Sequence, residues 1–127
     1  MLMIDQWGKR AVRMLAPEGE ISRAHFLCIR RVTNVNRIYR SRNLRIALAV
    51  AWLLALGSAI ALRETGMWFQ SRAAVVGLGT ALGGAAGNLV DIWHRHSVVD
   101  FIDLRWWPVF NFADVGIVGG LLLAFWP

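Results

Sequence analysis

Cysteine is nearly absent. Cys28 stands alone among 127 residues, which excludes an internal disulfide and leaves the redox compartment unread. Charge is missing from two long stretches. Ile46 to Leu62 is seventeen residues with no charge and one hydroxyl, Ser58, and Ala73 to Val90 is eighteen with no charge. Trp106 to Pro127 holds only two strongly polar side chains, Asn111 and Asp114. Met1 to Ile4 is too short for the apolar core of a signal peptide, since Asp5 follows at once. Acids are scarce as well, eight against fourteen Lys and Arg, for a net charge of +6.

What is present is apolar: 57% of the chain, above the roughly 45–50% of soluble domains. The first two uncharged stretches rise roughly 26 Å as helices, close to a hydrocarbon core of about 30 Å. They predict membrane spans, because a chain this short has too little polar surface to wrap two such helices in a soluble bundle. The third span is expected from about Ala113 to the C-terminus and is short. Residues 1–45 carry ten of the Lys and Arg against three acids. Beside a span, such a basic region attracts anionic phospholipid headgroups or is retained in the cytoplasm; no recognition motif accompanies it, so no nucleic acid is expected as a partner.

The predicted organisation is a single all-α membrane domain over residues 1–127. A basic interfacial region, 1–45, precedes three spans at about 46–62, 73–90 and 113–127. A turn is expected at Pro17 to Glu20, a short strand or interfacial segment within His25 to Val35, and a loop over 91–112. The aromatics Trp68, Phe69, Trp93, Trp106 and Trp107 suit the membrane interface. Gly79, Gly83 and Gly87 recur every fourth residue and predict close approach by another helix.

Chemistry concentrates in four acids within 24 positions, Asp91, Asp100, Asp103 and Asp114. Ionisable groups at membrane depth are costly and functional by default. Asn88-Leu-Val-Asp91 ends the second span and Asn111-Phe-Ala-Asp114 opens the third, and an i,i+3 spacing places each Asn and Asp on one helix face. In an antiparallel hairpin the two pairs meet at one membrane surface, with Asp100 between them. Two close carboxylates in a low dielectric cannot both ionise easily; the charged one activates water and the protonated one donates to a carbonyl under attack. By spacing alone, that chemistry and simple helix capping are equally good readings. A metal site of His94, His96, Asp91 and Asp100 fits by residue type, although solvated histidines beside Arg95 fit better.

Three blocks separate these readings. Gly83-Gly84-Ala85-Ala86-Gly87-Asn88-Leu89-Val90-Asp91, Val98-Val99-Asp100-Phe101-Ile102 and Trp107-Pro108-Val109-Phe110-Asn111-Phe112-Ala113-Asp114 resemble, in order and spacing, those of lipoprotein signal peptidases, the type II signal peptidases. The resemblance covers roughly residues 73–127. It implies Asp100 and Asp114 as the catalytic pair, with Asn88, Asp91 and Asn111 orienting them and no metal or cofactor. Asp5-Gln6-Trp7-Gly8-Lys9 is similar to the D-Q-x-x-K pattern closing the family's first helix, and implies that Asp5 and Lys9 support the site. The function implied is a membrane aspartic endopeptidase that cuts diacylglyceryl-modified prolipoproteins before the lipidated cysteine, working as a monomer in a bacterial inner membrane. An impaired relative that binds lipidated peptide or lipid, and a small membrane scaffold, are the competing readings.

Departures from the family pattern carry expectations of their own. The family has four transmembrane helices, so about twenty further apolar residues are expected upstream of Met1. Ile92 stands where the family has Arg after the Asp of the first block, and Arg95 is the candidate substitute. Val32 to Asn36 is only a faint counterpart of the N-x-G-x-x-F block. The family places its catalytic loop outside the cytoplasm, whereas twelve Lys and Arg on that side, against two in the 63–72 link, favour the inside. Binding of the basic segment to lipid headgroups would reconcile that charge count with the motifs.

Overall fold

The computed structural model describes residues 1–15, 19–23, 28–34 and 37–126. Its elements run α1 (Leu2–Leu15), β1 (Gly19–Arg23), β2 (Cys28–Asn34), a 3-10 turn (Arg37–Arg40), α2 (Arg42–Glu64), α3 (Arg72–Arg95), β3 (Val98–Asp103) and α4 (Phe112–Ala124). Ser41 caps α2 by accepting from the Leu44 amide, and Ser71 caps α3 by accepting from that of Ala74. His96 closes α3 in the left-handed region, φ 56°, a conformation that normally favours glycine.

Helices α2 and α3 are long and apolar enough to cross a membrane. No residue of α2 is buried, as suits a helix whose apolar surface meets lipid rather than protein. Its bonds to α3 include Trp52 Nε1 to the Leu82 carbonyl, 3.0 Å, and Arg45 Nη1 to the Trp93 carbonyl, 3.2 Å. The expected third span is only partly present. α4 has 13 residues, about 20 Å, which falls short of the hydrocarbon thickness.

α3 and α4 form the central pair, packed through small residues. A Cβ on Gly77 would lie 2.5 Å from the Gly120 carbonyl oxygen, and one on Gly84 would lie 2.5 Å from that of Ala113. The close-approach face is therefore Gly77, Ala81 and Gly84 against Ala113, Gly120 and Ala124. Gly83 and Gly87 of the expected stripe face α1, and Gly79 faces open space. At the far end of this pair, Phe125 meets Trp68 and Phe69, with ring centroids 6.0 and 5.4 Å apart.

The all-α expectation is corrected by an antiparallel sheet of order β1-β2-β3. β3 falls inside the stretch expected to be a loop. Its run Val98-Val99-Asp100-Phe101-Ile102 is β-branched and apolar, which suits a half-buried pleated strand. It pairs with β2, with Val32 opposite Asp100 and Cys28 opposite Asp103, and on its other side Ile102 bridges Phe110. A short apolar run does not reveal such a distant partner. The strand expected within residues 25–35 is β2 from Cys28; His25 to Leu27 and Val35 lie outside the described residues, as do Pro17 and Glu18 of the expected turn and Asn36 of the faint block. Gly19 and Glu20 belong to β1 rather than to a turn.

The basic N-terminal region opens with a helix packed against the rest of the protein. α1 buries Asp5, Gly8, Lys9 and Val12, an i, i+3, i+4, i+7 stripe. Met3, Ile4, Trp7 and Met14 point outward, 60–84% exposed. The helix reverses the usual pattern of a soluble one: Asp5 and Lys9 turn to the protein while large apolar side chains turn away, with Arg10 among the exposed residues.

Candidate active site

α1, α3, β3 and the start of α4 converge on one polar cluster. Its foundation is Lys9, whose side chain has no solvent exposure. The ammonium lies 2.7 Å from Asp5 Oδ2, 2.8 Å from Asp91 Oδ2 and 2.9 Å from Asn88 Oδ1. The ammonium hydrogen-bonds Asn88, and its two ion-pair contacts with carboxylates offset the cost of burying the charge. Gly87 makes room for this. A Cβ there would sit 2.7 Å from Asp5 Oδ2.

Asp5 uses its other oxygen on a second helix, accepting from the Ala113 amide at 2.9 Å. That amide is one of the unpaired N–H groups at the start of α4. Asn111 supplies the rest of the cap. Its Oδ1 accepts from the Asp114 amide at 3.1 Å, and Asp114 Oδ2 accepts from the Asn111 amide at 3.0 Å, a reciprocal capping box. The i,i+3 spacing visible in the sequence thus has a local structural role and fixes the Asp114 carboxylate at the positive end of α4.

The same asparagine reaches Asp100. Asn111 Nδ2 donates to Asp100 Oδ1 at 2.8 Å and to Asn88 Oδ1 at 3.1 Å. Asn88 Nδ2 in turn donates to Asp114 Oδ1 at 2.9 Å. Asp114 is therefore held through both oxygens, and one side chain, Asn111, links Asp100 to Asp114. Asp100 lies on β3, outside the long apolar helices. Burial raises its pKa from 3.8 to about 6, and the neighbouring Asp114 charge pushes the same way against the lowering effect of the Asn111 hydrogen bond.

That shift has a consequence for stability. The native carboxyl holds its proton more tightly than the unfolded one, so stability falls as pH rises from about 4 to 6, and the loss is complete above 6. An asparagine in its place has no proton to lose. Asp100→Asn is therefore expected to melt above the parent at pH 7.5 and to show no such gain near pH 4. Melting in detergent at the two pH values checks this; a difference that does not change with pH would exclude it.

All seven sequence-predicted residues meet here: Asp100, Asp114, Asn88, Asp91, Asn111, Asp5 and Lys9. Asp103 does not. It pairs with Arg30 at 3.2 Å and accepts from the Arg105 amide at 2.7 Å. Two further partners fall outside the sequence-predicted set. Gln6 donates to the Gly87 carbonyl at 3.0 Å and to Asp91 Oδ1 at 3.3 Å, and its place beside Asp5 was the available signal. Arg95, the suggested substitute for a missing arginine, bonds Asp91 Oδ1 through Nη1. His94 and His96 gather no metal-ligand set: among the described residues no three His, Cys, Asp or Glu are grouped to hold an ion. His96 Nδ1 instead meets Arg45 Nη1 at 3.2 Å.

Asp114 opens onto an apolar cleft of about 510 Å³, whose walls include Leu104, Trp106, Trp107, Phe110 and Leu122. The two tryptophans, expected as interface anchors, are exposed and also line this cleft.

Comparison with known proteins agrees with the motif reading. The chain is 45% identical over 87 residues to the lipoprotein signal peptidase of Rhodococcus jostii (strain RHA1), which covers 61% of this chain and 44% of that one. It is 52% identical over 59 residues to the lipoprotein signal peptidase of Syntrophomonas wolfei, covering 44% and 40%. The aligned region thus spans less than half the length of these curated relatives. Two solved structures described as a bacterial membrane enzyme, determined in meso at 2.3 and 1.9 Å, share the fold. They superpose with TM-scores of 0.75 and 0.72 at 24% and 25% identity, over 96% of this chain and 78% and 83% of theirs. Residues 1–127 match the family described as signal peptidase (SPase) II, and the chain belongs to that family.

Proposed function

We propose that this protein is a membrane aspartic endopeptidase that removes the signal peptide of diacylglyceryl-modified prolipoproteins, cutting before the lipidated cysteine. The observation that carries this is the joining of Asp100 and Asp114 through Asn111 at the edge of an apolar cleft. Asp100, with its proton held up to about pH 6, donates to the scissile carbonyl oxygen. Asp114, fixed through both oxygens, draws a proton from the attacking water. No covalent intermediate forms. The tetrahedral intermediate collapses when the leaving amine takes up the proton that Asp114 received and the former carbonyl oxygen returns its proton to Asp100.

The cleft lined by Trp106, Trp107, Phe110 and Leu122 suits hydrocarbon, as a lipidated cysteine requires. α2 and α3 hold the protein in a bacterial inner membrane as a multi-pass chain acting as a monomer, and the basic residues before α2 face anionic phospholipid headgroups.

A lipidated lipobox peptide in detergent micelles tests the reading. Cleavage on the N-terminal side of the modified cysteine, unchanged by a chelator, is expected. Binding without cleavage would replace it with the impaired-relative reading, and chelator inactivation reversed by zinc would point to His94 and His96 instead.

A further inference from the structure

Lys9 does not balance its cluster alone. Asp5 and Asp91 bring two negative charges into a region without solvent exposure, and Lys9 brings one positive charge. A buried, uncompensated charge costs several kcal/mol. The remaining charge comes from the last turn of α3. Arg95 Nη1 bonds Asp91 Oδ1 one helical turn back and lies 3.5 Å from Gln6 Oε1. Its side chain is 31% exposed, so it closes the cluster from the solvent side. Gln6 donates to the same Asp91 oxygen.

We infer that Arg95 is a positioning residue for Asp114: by neutralising Asp91 from outside, it leaves the Lys9 ammonium free to hold Asn88, and Asn88 holds Asp114. The chain of contacts is unbroken, from Arg95 to Asp91, Lys9, Asn88 and Asp114. Without Arg95, Lys9 is drawn toward two carboxylates that it alone must neutralise, and its bond to Asn88 weakens. The cluster then carries a net negative charge beside the pair of aspartates and favours their protonated form. The charged groups acting on Arg95 are Asp91 on its own helix and Arg13 on α1, and Arg13 also feels Asp91, Arg31 and Arg10. Arg13 donates to the Lys9 carbonyl.

The inference rests on the peptidase reading for its effect on rate, and two measurements keep them apart. On the lipidated peptide, Arg95→Gln is expected to lose about 100-fold in kcat, the scale of a misplaced catalytic group, with KM nearly unchanged and the pH profile moved upward. Arg95→Lys restores most of the turnover and the original profile, and guanidinium added to Arg95→Ala does so in part. A role in folding alone would lower yield or melting temperature while leaving specific activity and profile at parental values, which overturns the inference. Equal loss in Arg95→Gln and Arg95→Lys without guanidinium rescue also overturns it. The second measurement needs no substrate. The Asn88 side-chain amide resonances of the detergent-solubilised chain shift in Arg95→Gln and stay in place in Arg95→Lys; resonances unmoved in both sink the proposal. A parent that does not cleave, but whose Asn88 signals respond in this way, removes the peptidase reading and keeps the Arg95 coupling.

Discussion

Asp100→Asn and Asp114→Asn are each expected to lower cleavage of a lipidated peptide by about 10²–10⁴-fold, the range for removing a general acid or base. Asparagine preserves shape at both positions. At 100 it can still accept from Asn111 Nδ2, and at 114 it can still accept from the Asn111 amide, so the cap of α4 survives in part. What it cannot do is give and take a proton. Asp91→Asn is expected to lose less. Asp91 reaches Asp114 through Lys9 and Asn88 rather than by direct contact, so some turnover persists in whatever fraction folds. Asp103→Asn is the control. Its partners, Arg30 and the Arg105 amide, lie outside the cluster, and its activity should match the parent's. The measurement is specific activity for each variant, normalised to folded protein. Full turnover in Asp114→Asn, or a loss confined to Asp103→Asn, would overturn the assignment.

Lys9→Met is expected to cost about 3–5 kcal/mol of stability, the usual penalty for breaking a buried ion pair from one side. Methionine roughly fills the space, so the cost is electrostatic: Asp5 and Asp91 stay buried, with Arg95 left to meet one of them. Asp5→Asn placed on Lys9→Met removes one orphaned charge and should recover part of the loss, and the double-mutant cycle isolates that coupling. Chemical denaturation in detergent at neutral pH measures it. A Lys9→Met variant with the parent's midpoint would show that the buried ammonium contributes nothing net. Lys9 also donates to Asn88, so the folded fraction of Lys9→Met should be less active as well.

Stability and chemistry share residues here. Asn111 caps α4 and also bridges Asp100 and Asp114. Asp5 satisfies the Ala113 amide and also holds Lys9. A site built this way assembles with the fold, since the groups that orient the carboxylates are those that close helix ends and balance charge. The expected gain in stability of Asp100→Asn above pH 6 is the other side of this arrangement: a carboxyl kept partly desolvated for acid–base work destabilises the protein when it ionises.

The long apolar stretches and the site blocks were legible because both are local. An uncharged run as long as a bilayer is thick predicts a helix whatever surrounds it, and α2 and α3 extend only a few residues beyond the expected 46–62 and 73–90. The Asn-to-Asp spacing in 111–114 likewise describes one turn of helix, and the capping box formed there is a property of that turn. The motifs brought Asp5 and Lys9 into the site, although 1–45 read as a basic interfacial region. The helical stripe Asp5, Gly8, Lys9 and Val12 was in the sequence, but its meaning depends on which side is lipid and which is protein. Where apolar surface meets hydrocarbon, the polar face turns inward, which reverses the reading used for soluble helices.

Residue order by itself determined which segments are apolar enough to be long helices, where the carboxylates cluster, and which asparagines accompany them. Tertiary structure alone decided that Val98–Asp103 is a strand, that Gly77 and Gly84 make the closest helix contact while Gly79 faces open space, and that Arg95 closes the charge balance of Asp5, Lys9 and Asp91. The physical reason is the same in each case. Periodicity records which residues share a face, but a strand needs a partner, a glycine contact needs an opposing backbone, and a buried charge needs a counterion, and each of these comes from a distant part of the chain.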